Sequence, residues 1–190
     1  MSQRIVIASL LGGLMIFLWG AYTHMVPGLW VDAFKPIPAE NALLDVMRKE
    51  VPEPGVYAFP YMAPNEADGD KIKAHKQALM NGPSGMIVYL PRGNEGMNFK
   101  VLAIEFLSDV AQALICAFLL SRVAAGVSSF VGRVVFVGLL GLLPPLAISV
   151  SYWSWYKFSQ AFTVAEFIDQ IVGFVLCGVV LAAIFKPRPA

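Results

Sequence analysis

Four long apolar stretches divide the chain. A helix needs about 20 mostly apolar residues to cross the hydrocarbon core of a bilayer. Stretches of this length cover residues 5–23, 101–121, 134–152 and 162–185. We therefore predict four transmembrane helices, within segments 1–24, 101–122, 134–152 and 162–190. Pro144 and Pro145 fall inside the third, where we expect a kink or a break because proline cannot donate a backbone hydrogen bond.

The first apolar stretch also has one feature of a secretory signal peptide, because a basic residue, Arg4, precedes its apolar core. Two features favour a retained helix. The apolar run is long, and Gly20, Ala21 and Tyr22 make a poor small-residue cleavage site. Cleavage is the minor alternative.

Residues 25–100 form a polar insert between the first two apolar stretches. The spacing of its apolar residues predicts helices over 40–51 and 70–80, and short apolar runs predict strands over 56–59 and 86–90. The connection between the strands contains a helix and is long enough for a parallel crossover. We expect a small α/β insert. Because two strands alone are marginally stable, the insert should pack against the membrane helices, a second copy or another subunit.

Basic residues gather at one end of the predicted helices. Five basic residues with no acidic residue beside them flank the spans on one side: Arg4, Arg122, Arg133, Lys186 and Arg188. The opposite side holds the insert, with both charge signs, and the short loop that contains Lys157. Cytoplasmic loops carry an excess of Lys and Arg, so both termini and the loop 123–133 should be cytoplasmic. The insert then lies outside, as does the loop 153–161, where Trp153, Trp155 and Tyr156 would form an interfacial aromatic belt.

The apolar stretches resemble one another in pairs. An arginine, an aliphatic run and Leu-Leu-Gly follow one another from Arg4 in the first span and from Arg133 in the third. Glu105 in the second span and Glu166 in the fourth each begin a Glu-Phe-aliphatic triplet, followed after the same interval by a cysteine. Charged residues are rare inside spans, so the second match is the more specific. We predict two tandem helical hairpins related by a pseudo-two-fold axis along the membrane normal; chance similarity is the alternative.

Acidic and amide side chains line the outer part of the second and fourth spans. Spacings of three and four residues place most of them on one face of each helix. The candidate site comprises Glu105, Asp109, Gln112, Glu166, Asp169 and Gln170, with His24 at the outer end of the first span. One interpretation is a cation or proton site, since carboxylates suit hard cations. The other, which we favour, is structural hydrogen bonding near the helix ends, because these acids lie close to the interface.

The overall composition excludes several classes of protein. The chain is 57% hydrophobic and only 14% charged, against about a quarter charged in soluble domains. A net charge of +1 argues against a nucleic-acid partner. The two cysteines are lone residues in apolar runs, and neither His24 nor His75 has a second ligand at a suitable spacing. We therefore expect no metal site and no cofactor.

No residue pattern in the chain specifies a reaction. The Gly-Pro-Ser-Gly sequence around Ser84 predicts a turn and lacks the spacing of the Gly-x-Ser-x-Gly nucleophile motif. We expect a non-catalytic accessory or assembly subunit, or a homo-oligomer, whose outer insert docks another membrane subunit or a second copy. A small ion- or proton-coupled transport protein using the carboxylates is the alternative, and an integral membrane enzyme is the third possibility.

The third span ends in the string Tyr152-Trp153-Ser154-Trp155-Tyr156. With the order of spans and insert, this string resembles small four-helix bacterial inner-membrane proteins that carry an outer insert after the first helix. The resemblance implies a location in the bacterial inner membrane. It implies no activity.

Overall fold

The computed structural model describes residues 3–26, 28–66 and 68–186. In these ranges the fold is mostly helical, with four helices long and apolar enough to cross a membrane and one small two-stranded sheet. In chain order the elements are α1 (Gln3–Met25), α2 (Glu40–Glu50), β1 (Gly55–Phe59), α3 (Gly69–Asn81), β2 (Gly85–Tyr89), α4 (Phe99–Val123), α5 (Phe130–Leu140), α6 (Val150–Tyr156) and α7 (Gln160–Ile184).

The chain separates into two compact units. Residues up to Lys35 and from Met97 onward form the helical unit, and Pro36–Gly96 form the insert unit. The four predicted spans correspond to α1, to α4, to the interrupted helix Phe130–Tyr156 and to α7. The sequence therefore located all four long helices.

Polar capping residues determine where three of the long helices begin. The side-chain oxygens of Asn98, Ser129 and Ser159 each accept a hydrogen bond from a backbone N–H in the first turn of the helix that follows. These N–H groups have no partner inside the helix, so a cap at this position stabilises its first turn.

The proline pair interrupts the third long helix, as predicted. After α5, the backbone N–H groups of Gly141 and Leu142 bond three residues back, and a π-helical segment, Pro145–Ser149, leads into α6. Proline removes the donors that would continue the α-helical pattern. The helix nevertheless extends to Tyr156. The aromatic residues that we expected in a loop, Trp153, Trp155 and Tyr156, therefore lie at the end of α6.

Close helix contacts in the helical unit depend on glycine. α1 packs antiparallel against α4 and α7, and α5 packs antiparallel against α7. A Cβ atom on Gly13 would lie 2.6 Å from Cα of Val110, and one on Gly141 would lie 2.6 Å from Cβ of Phe174. Only glycine allows the backbones to approach this closely. The buried core consists mainly of small and medium residues: Ala8, Ala113, Cys116, Ala117, Leu120, Val137, Phe174, Cys177, Leu181 and Phe185.

The sequence predicts two hairpins, α1 with α4 and α5–α6 with α7. These hairpins contact each other mainly through α1 and α7. α1 contacts α7 along much of its length, whereas α5, its counterpart in the repeat, barely contacts α4. A two-fold axis between the hairpins would make these two sets of contacts alike. The packing therefore lacks the two-fold arrangement that the sequence predicted.

The insert unit contains the predicted helices and strands, but its sheet is antiparallel. Residues pair from Gly55 with Tyr89 to Phe59 with Gly85. The predicted parallel crossover is wrong, because a connection long enough to cross over is also long enough to reverse direction. Asp68 caps the start of α3, where its carboxylate accepts two backbone hydrogen bonds, and Gly82, with φ of +63°, caps its end.

Candidate functional site

Asp169 on α7 is bound twice by α1. The Thr23 hydroxyl lies 2.8 Å from the Asp169 carboxylate oxygen Oδ1, and Trp19 Nε1 donates to the Asp169 backbone carbonyl at 3.1 Å. The hydroxyl proton could also go to the carbonyl of Gly20, at 3.1 Å. The carboxylate is closer and charged, and charged acceptors form the stronger bonds. Asp169 therefore links the two helices.

Asp109 is the most buried of the candidate acids, with 4% of its surface exposed. Gln112, one turn further along α4, donates to its carboxylate oxygen Oδ1 at 3.1 Å. The carboxylate is also close enough to Glu105 and Asp169 for their charges to interact. Asp109 thus combines one local hydrogen bond with two neighbouring negative charges.

His24 lies at the edge of this cluster and is exposed. Its Nδ1 is 3.0 Å from the carbonyl oxygen of Gly20. Because a carbonyl can only accept, this contact is a hydrogen bond when Nδ1 carries the proton, which leaves Nε2 unprotonated in the neutral ring. The imidazole ring lies against Trp30 at an interplanar angle of 31°, with 4.6 Å between ring centroids, and Glu166 is close enough to interact with it electrostatically.

The structure brings most of the candidate residues together. Charge interactions connect Glu105 to Asp109, Asp109 to Asp169, and Asp169 to Glu166. Gln170 is placed differently, because its backbone carbonyl packs against Gly141 of the third long helix. The cluster thus lies between α4, α1 and α7.

Sequence reasoning missed Trp19 and Thr23, the two partners of Asp169. They are four residues apart, so they project from the same face of α1. A hydroxyl inside an apolar helix was an available signal, since such groups commonly bond across helices. The partner helix could not be deduced, because the order of packing is not encoded in any one span.

A metal site requires several ligand side chains grouped around one point. Within residues 3–26, 28–66 and 68–186, no three His, Cys, Asp or Glu side chains are grouped so that they could hold a metal ion. Cys116 and Cys177 are buried in the helix core and are not bonded to each other. Of the four acids, Asp169 accepts from α1 and Asp109 accepts from its own helix in the described structure.

His75 belongs to a separate feature in the insert unit. It lines an open groove of about 490 Å³ between α3 and the segment 60–66, with Tyr61, Glu66 and Lys71. The groove is shallow and of mixed character, and no second histidine contributes to it.

Comparisons with known proteins assign no family. No protein-family model, curated protein or solved structure matches the chain. Any function therefore rests on the residues and their geometry.

Proposed function

We propose that the four long helices cross a bilayer, with both termini cytoplasmic and the insert outside, in a bacterial inner membrane. The distribution of side chains supports insertion. Large apolar residues are exposed along the outer surfaces of the long helices, among them Leu10, Ile104, Leu107, Leu139 and Val179. The buried positions favour small residues instead, which is typical of helices that pack within lipid. The excess of basic residues supports the orientation.

We also propose that the two hairpins are a tandem repeat. Aligning the two Leu-Leu-Gly and the two Glu-Phe motifs pairs Gly12 with Gly141 and Ala113 with Phe174. A Cβ on Gly12 would lie 3.2 Å from Cβ of Ala113, and one on Gly141 would lie 2.6 Å from Cβ of Phe174. Equivalent residues thus meet in both hairpins, which supports common ancestry of the hairpins without two-fold packing between them.

The proposed function is that of a non-catalytic accessory or assembly subunit, or of a homo-oligomer, that docks its partner through the insert. The observation that carries it is the sheet. In the described chain each strand pairs only with the other, so both outer edges are free, and neither strand contains a charged residue. Soluble proteins protect free edges with charges or proline, because exposed edges recruit further strands.

The insert also buries little apolar surface. Its hydrophobic residues that are at least nine-tenths buried in the described ranges are Met47 and Tyr89. The cross-strand partners Val56 and Val88 are both largely exposed on the same face of the sheet. A two-stranded sheet is marginal in water, so added strands or an apolar partner surface would stabilise it.

Two matched substitutions test this function. V56K places a charge on the sheet, and V46K places the same charge on α2, where the valine is similarly exposed (65% and 57%). The wild-type chain, purified in mild detergent, should form a homo-oligomer or a stoichiometric complex, measured as molar mass by light scattering. V56K should release the partner, and V46K should retain it. A wild-type chain that is monomeric and partner-free overturns the proposal, as does a complex that both variants retain.

A second candidate function is ion- or proton-coupled transport. The observation that favours it is the closeness of Asp109 to two further carboxylates, which would attract a cation or a shared proton. In reconstituted vesicles, E105Q and E166Q should abolish ion-dependent flux with folding intact, while E50Q in the insert should not. Flux that is unchanged in both membrane variants eliminates this candidate.

A further inference from the structure

Arg133 is a buried cation that has no carboxylate partner among the described residues. It lies in the second turn of α5 and only 3% of its surface is exposed. Its Nη1 donates to the backbone carbonyls of Val127 at 3.1 Å and Ser128 at 2.9 Å. Its Nε is buried and has no hydrogen-bond partner within residues 3–26, 28–66 and 68–186. A buried charge is costly unless it is paired, so two neutral carbonyls leave this cation incompletely compensated.

The unused part of the guanidinium has a defined shape. With Nη1 occupied, the remaining edge consists of Nε and Nη2, and no hydrogen bond of Nη2 occurs in the described parts of the chain. These two N–H groups point in parallel and match two oxygens of one phosphate or carboxylate. Although Nε is buried, this edge has the donor geometry that a bidentate oxyanion requires.

The surroundings favour an anion at this edge. The carbonyls that Arg133 contacts immediately precede α5, so its guanidinium lies at the positive end of the helix dipole. Two further cations lie at the carboxyl ends of other long helices. Arg122 is in the last turn of α4, and Lys186 follows the end of α7. No Asp or Glu occurs in residues 110–165 or 170–190. The chain thus offers no nearby acid in these segments.

We propose that Arg133, through Nε and Nη2 at the start of α5, binds a phosphate-type oxyanion, supplied in the membrane by the headgroup of an anionic lipid. The lipid as source rests on the proposed membrane insertion, whereas the oxyanion chemistry does not. The bound phosphate compensates the Arg133 charge and holds the turn that joins α4 to α5.

The test measures ligand-dependent stabilisation of the full chain in neutral detergent. Phosphatidylglycerol, phosphatidylcholine and inorganic phosphate are added separately, and the thermal unfolding midpoint is recorded. Phosphatidylglycerol should raise the midpoint of the wild type and of R122Q, the matched control. R133K keeps the positive charge but loses the two parallel N–H donors. Its unfolding midpoint should therefore rise only at about tenfold higher phosphatidylglycerol concentration. R133Q should not respond.

The outcomes separate the two sources and the two proposals. Stabilisation by inorganic phosphate that needs Arg133 supports the oxyanion site with a free anion as its source. Equal stabilisation of wild type, R133K and R133Q by phosphatidylglycerol overturns the site, as does no stabilisation by any ligand. If R133Q does not fold, the site is tested by comparing R133K with R122Q: a weaker response of R133K to phosphatidylglycerol supports the site, and equal responses overturn it. A chain that fails to insert into vesicles but still binds phosphate through Arg133 refutes only the membrane proposal.

Discussion

The Thr23 hydroxyl of α1 lies 2.8 Å from a carboxylate oxygen of Asp169 on α7, joining residues from the two ends of the chain. The insert and two long helices separate them in sequence. With the Trp19 bond to the same residue, this contact fixes how the first hairpin docks on the second. Asp169 therefore links α1 to α7 through its side chain and its backbone.

Removing this hydroxyl should destabilise the helical unit. T23V keeps the shape of the side chain but cannot donate, and we expect a loss of about 1–2 kcal/mol in the free energy of unfolding, at the upper end of measured interhelical bonds. T163V is the control, because Thr163 bonds only to the carbonyl of Ser159 in its own helix. Unfolding by SDS titration measures both. Equal losses would show that the Thr23 bond adds nothing between helices.

Two glycines of α1 should respond in opposite ways to alanine. A Cβ on Gly13 would meet the backbone of Val110, which cannot move aside, whereas a Cβ on Gly20 meets nothing within 4 Å. G13A should cost about 1–3 kcal/mol through overpacking. G20A should be neutral or stabilise by up to about 1 kcal/mol, since alanine favours helix. Thermal unfolding in detergent measures both, and a tolerated G13A would contradict the close packing of α1 on α4.

Two leucines of α4 distinguish the core from the proposed lipid-facing surface. Leu120 is fully buried, whereas 64% of the Leu107 surface is exposed. L120A should destabilise by at least about 2 kcal/mol because it leaves a cavity. L107A should change stability by less than about 0.5 kcal/mol, because lipid tails fill the space. The same SDS titration applies, and similar losses for both variants would contradict the proposed burial pattern.

The elements were readable from sequence because each is encoded locally. The four apolar runs, the proline break after α5 and the apolar spacing of the insert depend on residues within the element itself. Chain length and composition suffice for such features. The start of α5 and the end of α6 differ from the predicted span 134–152. The helix begins at Phe130 and reaches Tyr156, beyond its most apolar part.

Features that depend on packing could not be read in this way. The sense of the two strands follows from how the chain returns after α3, which linker length alone does not decide. Arg133 lies in α5 and not in the loop predicted for residues 123–133, and its guanidinium folds back over the turn before α5. The contact of α1 with α7 determines which polar residues meet, and no single span encodes that contact.

The most direct measurement for the whole account is the sidedness of two single-cysteine variants in intact cells. S84C lies in the insert and A125C lies in the turn between α4 and α5, both at exposed positions, while the native Cys116 and Cys177 are buried. A membrane-impermeant maleimide should label S84C at once and A125C only after the cells are permeabilised. Labelling of both without permeabilisation, or of A125C alone, would contradict four spans with an outer insert.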